Sequence, residues 1–213
     1  MKDTQLCTGA NNISAVVLAG GKGSRMGSPT KPLLPLDDKP IIAHICASIR
    51  SSVAHIIVSA NNYQELYKEY ADALVSDDEL YRDSCPGPLL GILAALKYAR
   101  SHYPATQYLC CFPGDAPLFP QNIVQIMYGA IEQANAQIAW IENDGQPQPL
   151  FSMWKLQVIE ELEQAIKNGQ YSPMAFIKQQ HNTLIKLSSC DIGHFDNLNF
   201  PEDLQKARNL IAT

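Results

Sequence analysis

Hydrophobic and polar positions alternate along this chain in two rhythms. Short continuous apolar runs at Ser14-Ala-Val-Val-Leu18, His55-Ile-Ile-Val58, Ala73-Leu-Val75, Tyr108-Leu-Cys-Cys-Phe112 and 137–141 each give way to polar or Gly/Pro-containing segments. Such runs predict strands buried on both faces, where no position needs to be polar. Between them the period changes. Ile41, Ile42, Ile45 and Ile49 recur at helical spacing behind Pro40, a good opening residue for a helix. Segment 89–100 places Ile92, Leu93 and Leu96 on one helical face, and 63–70 and 121–133 read as further helices. Asn143-Asp144-Gly145 is a turn signal, with 150–154 returning as a partner strand. A helix over 156–168 stops at Gly169, and the last helix begins at Pro201.

Strands alternating with helices at this spacing predict an α/β fold. The expected form is Rossmann-like and three-layered, with a mostly parallel central sheet covered on both faces. No linker divides the chain, so 13–213 reads as a single domain behind a polar N-terminal extension, 1–12.

Composition narrows the partners. Sixteen Lys and Arg against 21 Asp and Glu give a net charge of −5, without the basic footprint of a nucleic-acid binder. With 46% hydrophobic and 17% charged residues the chain can fill a core and is not a disordered polymer. The polar start lacks a signal-peptide run, and no stretch approaches the roughly 18–20 apolar residues of a membrane span. The six cysteines include no Cys-x-x-Cys pair, which favours buried free thiols over a disulfide framework or zinc site. Cys110 and Cys111, as neighbours in a strand, should point to opposite faces. A soluble, cytoplasmic protein with neither nucleic acid nor membrane as partner is expected.

The segment Leu18-Ala-Gly-Gly-Lys-Gly-Ser-Arg-Met-Gly27 carries the most chemistry. A loop directly after the first strand lies at the carboxyl edge of the sheet, where open α/β folds bind ligands. Gly20, Gly21 and Gly23 let backbone amides approach an anion closely, and Arg25 and Lys31 add positive charge. The glycine spacing fits neither a Walker A loop nor Gly-x-Gly-x-x-Gly. Phosphate binding explains the segment better than a plain turn with solvated cations. Asp115, between Pro113 and Pro117, would alone read as a turn former.

This segment resembles the Leu-Ala-Gly-Gly-x-x-x-Arg-Met-Gly…Lys signature of nucleotidyltransferases, and most of all the molybdenum cofactor guanylyltransferases. Gly87-Pro88-Leu89-Leu90-Gly91, Phe112-Pro113-Gly114-Asp115-Ala116-Pro117, Gln148-Pro149-Leu150-Phe151 and Asn197-Leu198-Asn199-Phe200-Pro201-Glu202-Asp203 are similar to further patterns of that family. The resemblance covers nearly everything after residue 12. It implies a nucleotidyltransferase fold and transfer of GMP from GTP to the terminal phosphate of molybdenum-molybdopterin.

By the same resemblance, Leu18, Ala19, Gly20, Gly21, Gly23, Lys31, Asn61, Asp78 and Asp115 contact the nucleotide. Arg25, Lys31 and Asp115 carry catalysis, and Asp115 holds Mg²⁺, an ion typically bound by one or two carboxylates beside phosphate oxygens. Asn62 and Asp77 are one-residue alternatives to Asn61 and Asp78. Asn197 and Asn199 fall on the pterin side. Transient contacts with molybdenum cofactor insertion or chaperone proteins and with target molybdoenzymes are implied too. No strong general base is required, because a phosphate monoester is largely ionised near neutral pH, its second pKa being about 6. His44 lies on the first helix and reads as structural, and His55, His102, His181 and His194 show no metal-like spacing.

Three features depart from the family pattern. Thr30 stands where an acid often precedes the lysine, and Lys31-Pro-Leu-Leu-Pro35 also echoes sugar-phosphate nucleotidyltransferases. Gly114 replaces a cysteine found in many relatives and reads as a tolerated small residue. A cytidylyltransferase for the same cofactor, a sugar-phosphate nucleotidyltransferase and a non-catalytic cofactor carrier or adaptor are the competing readings.

Overall fold

The apolar runs assemble into one sheet because each can bury side chains on both of its faces. The structure is a computed structural model that describes residues 10–20, 30–82, 87–188 and 195–211. Its strands are β1 (Ile13–Leu18), β2 (Pro35–Leu36), β3 (Lys39–Pro40), β4 (His55–Ser59), β5 (Ala73–Val75), β6 (Tyr108–Pro113), β7 (Ile138–Asn143), β8 (Gln146–Lys155) and β9 (Asn182–Leu187). Its α-helices are α1 (Ile41–Ile49), α2 (Glu79–Arg82), α3 (Pro88–His102), α4 (Ile123–Gln133), α5 (Ile159–Lys167), α6 (Pro173–Ile177) and α7 (Pro201–Ile211).

The main sheet has seven strands in the order β5-β4-β1-β6-β8-β7-β9. All run the same way except β8, which is antiparallel to both neighbours. The expected three-layer α/β architecture is therefore present. Val17, Ile56, Val58, Cys110 and Phe112 pack with α1 and α4 on one face, while Val16, Ile57, Leu109 and Cys111 pack with α3 and α5 on the other. Cys110 and Cys111 do point to opposite faces, and burial pushes both thiols well above their ordinary pKa. Cys46 on α1 is likewise pushed up to about 12, chiefly by burial. Thiols held protonated in this way have little nucleophilic character. Cys7, Cys85 and Cys190 lie outside the described residues.

Three local details differ from the sequence expectation. Segment 63–70 makes only a 3-10 turn, Gln64–Tyr67, preceded by Tyr63 in a left-handed backbone with φ 55°. The helix expected from 156 begins as a 3-10 turn, Leu156–Val158, before α5. Strand β8 starts earlier than the expected 150 and bulges. Ser152 pairs with Trp140, whereas the next β7 residue, Ile141, pairs with Gln148. The intervening residues include Pro149, which has no N–H for the ladder, and Ser152 Oγ donates to the Pro149 carbonyl at 2.8 Å. Asp144 and Gly145, at φ 48° and 77°, make the β7–β8 turn, as the Asp-Gly pair predicts. Gly169, at φ 83°, ends α5 in the expected C′ role.

Candidate active site

Four adjacent parallel strands end level with one another. Leu18 of β1 pairs with Ser59 of β4 and Pro113 of β6, and Ser59 pairs in turn with Val75 of β5. Two residues beyond each of these positions stand Gly20, Asn61, Asp115 and Asp77. The parallel register thus gathers four chemically distinct groups along the carboxyl edge, the usual ligand side of such a sheet.

At the β4–β5 side, Asn61 and Asp77 bond reciprocally. Asn61 Nδ2 donates to Asp77 Oδ2 at 2.6 Å, and the Asp77 amide donates to Asn61 Oδ1 at 2.9 Å. A Cβ built at Gly20 would lie 3.7 Å from Asn61 Nδ2, so Gly20 stands directly beside this pair. Asp78 is engaged elsewhere, where its Oδ1 accepts the Leu80 amide at 3.0 Å in the first turn of α2. Between the two aspartates, geometry therefore joins Asp77 to Asn61 and leaves Asp78 exposed as a helix cap. Asn62 is also exposed.

At the β1–β6 side, Lys31 Nζ lies 2.5 Å from Asp115 Oδ2 and 2.9 Å from Asn199 Oδ1. Lys31 is only 9% exposed, so its ammonium depends on these partners for the hydrogen bonds that water would otherwise supply. Its position follows from local backbone. Pro32 is buried in the 3-10 turn Lys31–Leu33, and the Leu34 amide closes on the Lys31 carbonyl at 3.0 Å. Pro32 also packs on Gly114, where an added Cβ would fall 3.1 Å from its ring and 2.7 Å from the Leu18 carbonyl oxygen. Gly114 is thus required by close approach; it is more than a tolerated small residue. At Gly91 on α3 a Cβ would come 2.5 Å from Ser59 Oγ, so its absence lets that helix press against the ends of β1 and β4.

The segment before α7 completes the site from the far end of the chain. The Leu198 amide donates to the Asp115 carbonyl at 2.8 Å, bringing Asn199 alongside Lys31. A cleft of ≈ 760 Å³ opens next to this cluster, lined among others by Leu118, Gln148, Asn197, Asn199, Phe200 and Lys206. Gln148 reaches it from the bulged part of β8, a usual way for a bulge to re-aim a side chain. Leu18 ends β1 and Ala19 leads to Gly20, with the Ala19 amide donating to the Ser59 carbonyl at 2.8 Å. Gly21, Gly23 and Arg25 lie outside the described residues.

Among the described residues no group of three or more His, Cys, Asp or Glu is placed to hold a metal ion by itself. A hard divalent ion that keeps waters and takes phosphate oxygens needs only one or two protein carboxylates, and Asp115 offers one at the end of β6.

Comparison with known proteins places the fold in a family. The family model described as the MobA-like NTP transferase domain matches residues 15–183. The chain belongs to the MobA-like NTP transferase family. A molybdenum cofactor guanylyltransferase from Pseudomonas paraeruginosa is 38% identical over 197 residues, 92% of this chain and 95% of that protein. The crystal structure of molybdopterin-guanine dinucleotide biosynthesis protein A from Archaeoglobus fulgidus superposes with a TM-score of 0.71 at 20% identity, covering 93% of this chain and 98% of the other. A Mycobacterium tuberculosis protein crystallised in complex with manganese gives a TM-score of 0.64 at 14% identity, over 94% of this chain and 99% of the other. The mixed seven-stranded sheet is therefore the MobA-like fold. No α-helix among the described residues is long and apolar enough to cross a membrane.

Proposed function

We infer that this chain is a molybdenum cofactor guanylyltransferase: it transfers GMP from GTP to the terminal phosphate of molybdenum-molybdopterin and releases pyrophosphate. The observation that carries this reading is the likeness at 38% identity, over 92% of the chain, to a protein of that name. The site geometry supports it, because a buried lysine and a carboxylate meet at the carboxyl ends of the parallel strands.

In the reaction, an oxygen of the acceptor phosphate forms a new bond to the α-phosphorus of GTP. The bond from that phosphorus to the oxygen bridging to the β-phosphate breaks, and pyrophosphate leaves with the electron pair. The acceptor is already largely ionised near neutral pH, so the chain contributes position and charge rather than a strong base. Gly20, with Gly21 and Gly23, presents backbone to the phosphates, and Lys31 and Arg25 offset their charge. Asn61 with Asp77 or Asp78 takes the nucleoside end. Asp115 would hold Mg²⁺, which when bound supplies positive charge to the triphosphate.

Residues 13–213 act as one catalytic domain in this reading, since Asn199 near the end of the chain completes the site begun by β1. The buried free thiols Cys46, Cys110 and Cys111 suit the reducing cytoplasm as the place of action. Transient contact with insertion or chaperone proteins and target molybdoenzymes would pass the product on. The test is pyrophosphate release by the purified chain with molybdenum-molybdopterin and either GTP or CTP in Mg²⁺. Product formation with GTP is expected; preference for CTP would make it a cytidylyltransferase, and nucleotide binding without turnover an adaptor.

A further inference from the structure

The Lys31 ammonium is held on one side by Asp115 and on the other by the Asn199 side chain. Asn199 belongs to no regular element, yet an amide that orients a lysine must itself be fixed. The fixing group is Asp203, in the first turn of α7. Its Oδ2 accepts the Asn199 amide at 2.9 Å and the Phe200 amide at 2.8 Å, while its own N–H returns to the Phe200 carbonyl at 3.0 Å. Pro201 opens the helix and Asp203 reaches back three and four residues, so one carboxylate satisfies two backbone donors ahead of the helix start. An isolated helix cap would stop there. This one locks the backbone of the residue whose side chain touches Lys31.

We propose that Asp203 is a positioning residue of the active site: through the backbone of Asn199 and Phe200 it sets the amide that aims Lys31 at the triphosphate. The chain of contacts is continuous, from Asp203 Oδ2 to the Asn199 backbone, from Asn199 Oδ1 to Lys31 Nζ, and from Lys31 Nζ to Asp115. Asp203 acts on Lys31 only through Asn199. The kinetic part of this inference rests on the guanylyltransferase reading. Its geometric part does not.

The test uses the full-length chain and the variants Asp203→Ala, Asp203→Asn, Asn199→Ala and the double alanine variant. Lys31 acetylation by acetic anhydride, followed by peptide mass spectrometry without substrate, reports how firmly the ammonium is held. Asp203→Ala and Asn199→Ala should each label Lys31 more than about twofold faster, with the double variant no faster than Asn199→Ala, because coupled residues are not additive. Lys97 on α3 should label at the wild-type rate, which separates a local release from general loosening.

Asp203→Asn, which keeps an acceptor oxygen, should restore slow labelling. Turnover with GTP should fall roughly 10–100-fold in the two alanine variants, as for outer groups that orient a ligand-holding residue, and recover in Asp203→Asn. If Asp203→Ala does not fold, Asp203→Ser, too short to reach the Asn199 amide, gives the same readings. Unchanged Lys31 labelling, or a double variant whose effect is the product of the singles, overturns the proposal. Faster Lys31 labelling in the variants of a chain that forms no product even as wild type upholds the positioning role and overturns the guanylyltransferase reading instead.

Discussion

Two ion pairs stand at opposite ends of the same sheet, and their contrast separates chemistry from support. At the carboxyl edge, Lys31 and Asp115 meet at 2.5 Å with side chains 11% and 26% exposed. At the amino edge, Arg50 and Asp72 meet at 2.7 Å with side chains 45% and 37% exposed. The outer pair is tied into secondary structure: Asp72 Oδ2 also accepts the Ile56 amide at 2.7 Å, where β4 begins. The inner pair is tied to another side chain, Asn199, beside a cleft. A charge that closes a strand end has finished its work in folding. A cation and an anion held together in a recess remain available to exchange each other for a ligand.

The contrast is broken most severely at Asp115. Asp115→Ala should lower GMP transfer on the order of 10³-fold, comparable to the loss of a principal electrostatic group in an active site. The circular-dichroism spectrum should stay that of wild type, because Lys31 keeps its bond to Asn199. Near-normal turnover would remove Asp115 from the metal and catalytic role. Lys31→Ala comes next, with about a 10²-fold loss in turnover and weaker GTP binding measured by titration calorimetry. Unchanged affinity and rate would place the phosphate grip elsewhere.

The two edges are unequally legible in the amino-acid sequence. The inner strands can be read because residues such as Val16, Val17, Ile56 and Ile57 are apolar without interruption, a pattern that a fully buried strand requires. Lys31, Asp115 and Asn61 follow from motifs. The choice between Asp77 and Asp78 does not, because it depends on Val75 being level with Ser59 and on which aspartate caps α2. Strand β9 is also hidden. Asn182, Lys186 and the half-exposed Leu184 give it no continuous apolar run, and it pairs with β7 only at the sheet edge. Asp203 is visible as an acid near a helix start. Its link to Lys31 is not, because Asn199, the residue between them, lies 168 positions beyond the lysine, and local spacing carries no information over that distance.

Gly114 sharpens the comparison from the packing side. Gly114→Ala would set a Cβ 2.7 Å from the Leu18 carbonyl oxygen and 3.1 Å from Pro32, so the β1 end, the Lys31 turn or Asp115 must shift. Overpacking of this kind costs about 1–3 kcal/mol. Chemical denaturation should show that loss, and turnover should fall with it, because the displaced groups are those that meet at the ion pair. The equivalent change on α4, Gly129→Ala, has open space around the new Cβ and should leave turnover at the wild-type level without loss of stability.

The smallest effect belongs to the outer pair. Burial alone would raise the Asp72 pKa, but the Ile56 amide and the Arg50 guanidinium outweigh it and leave the carboxyl below its ordinary value. A carboxyl with a lowered folded-state pKa stabilises the fold above the unfolded pKa of about 3.9, and that contribution disappears as pH falls through the folded value. Solvent screens this partly exposed pair, so its worth is limited to about 1 kcal/mol or less. Urea unfolding of wild type and Asp72→Asn should therefore differ slightly at pH 7, by no more than that amount, and converge as the solution is acidified below the carboxylate range. GMP transfer at pH 7 should be the same in both proteins. A turnover defect in Asp72→Asn at full folding would show that the amino edge of the sheet is coupled to the carboxyl edge after all.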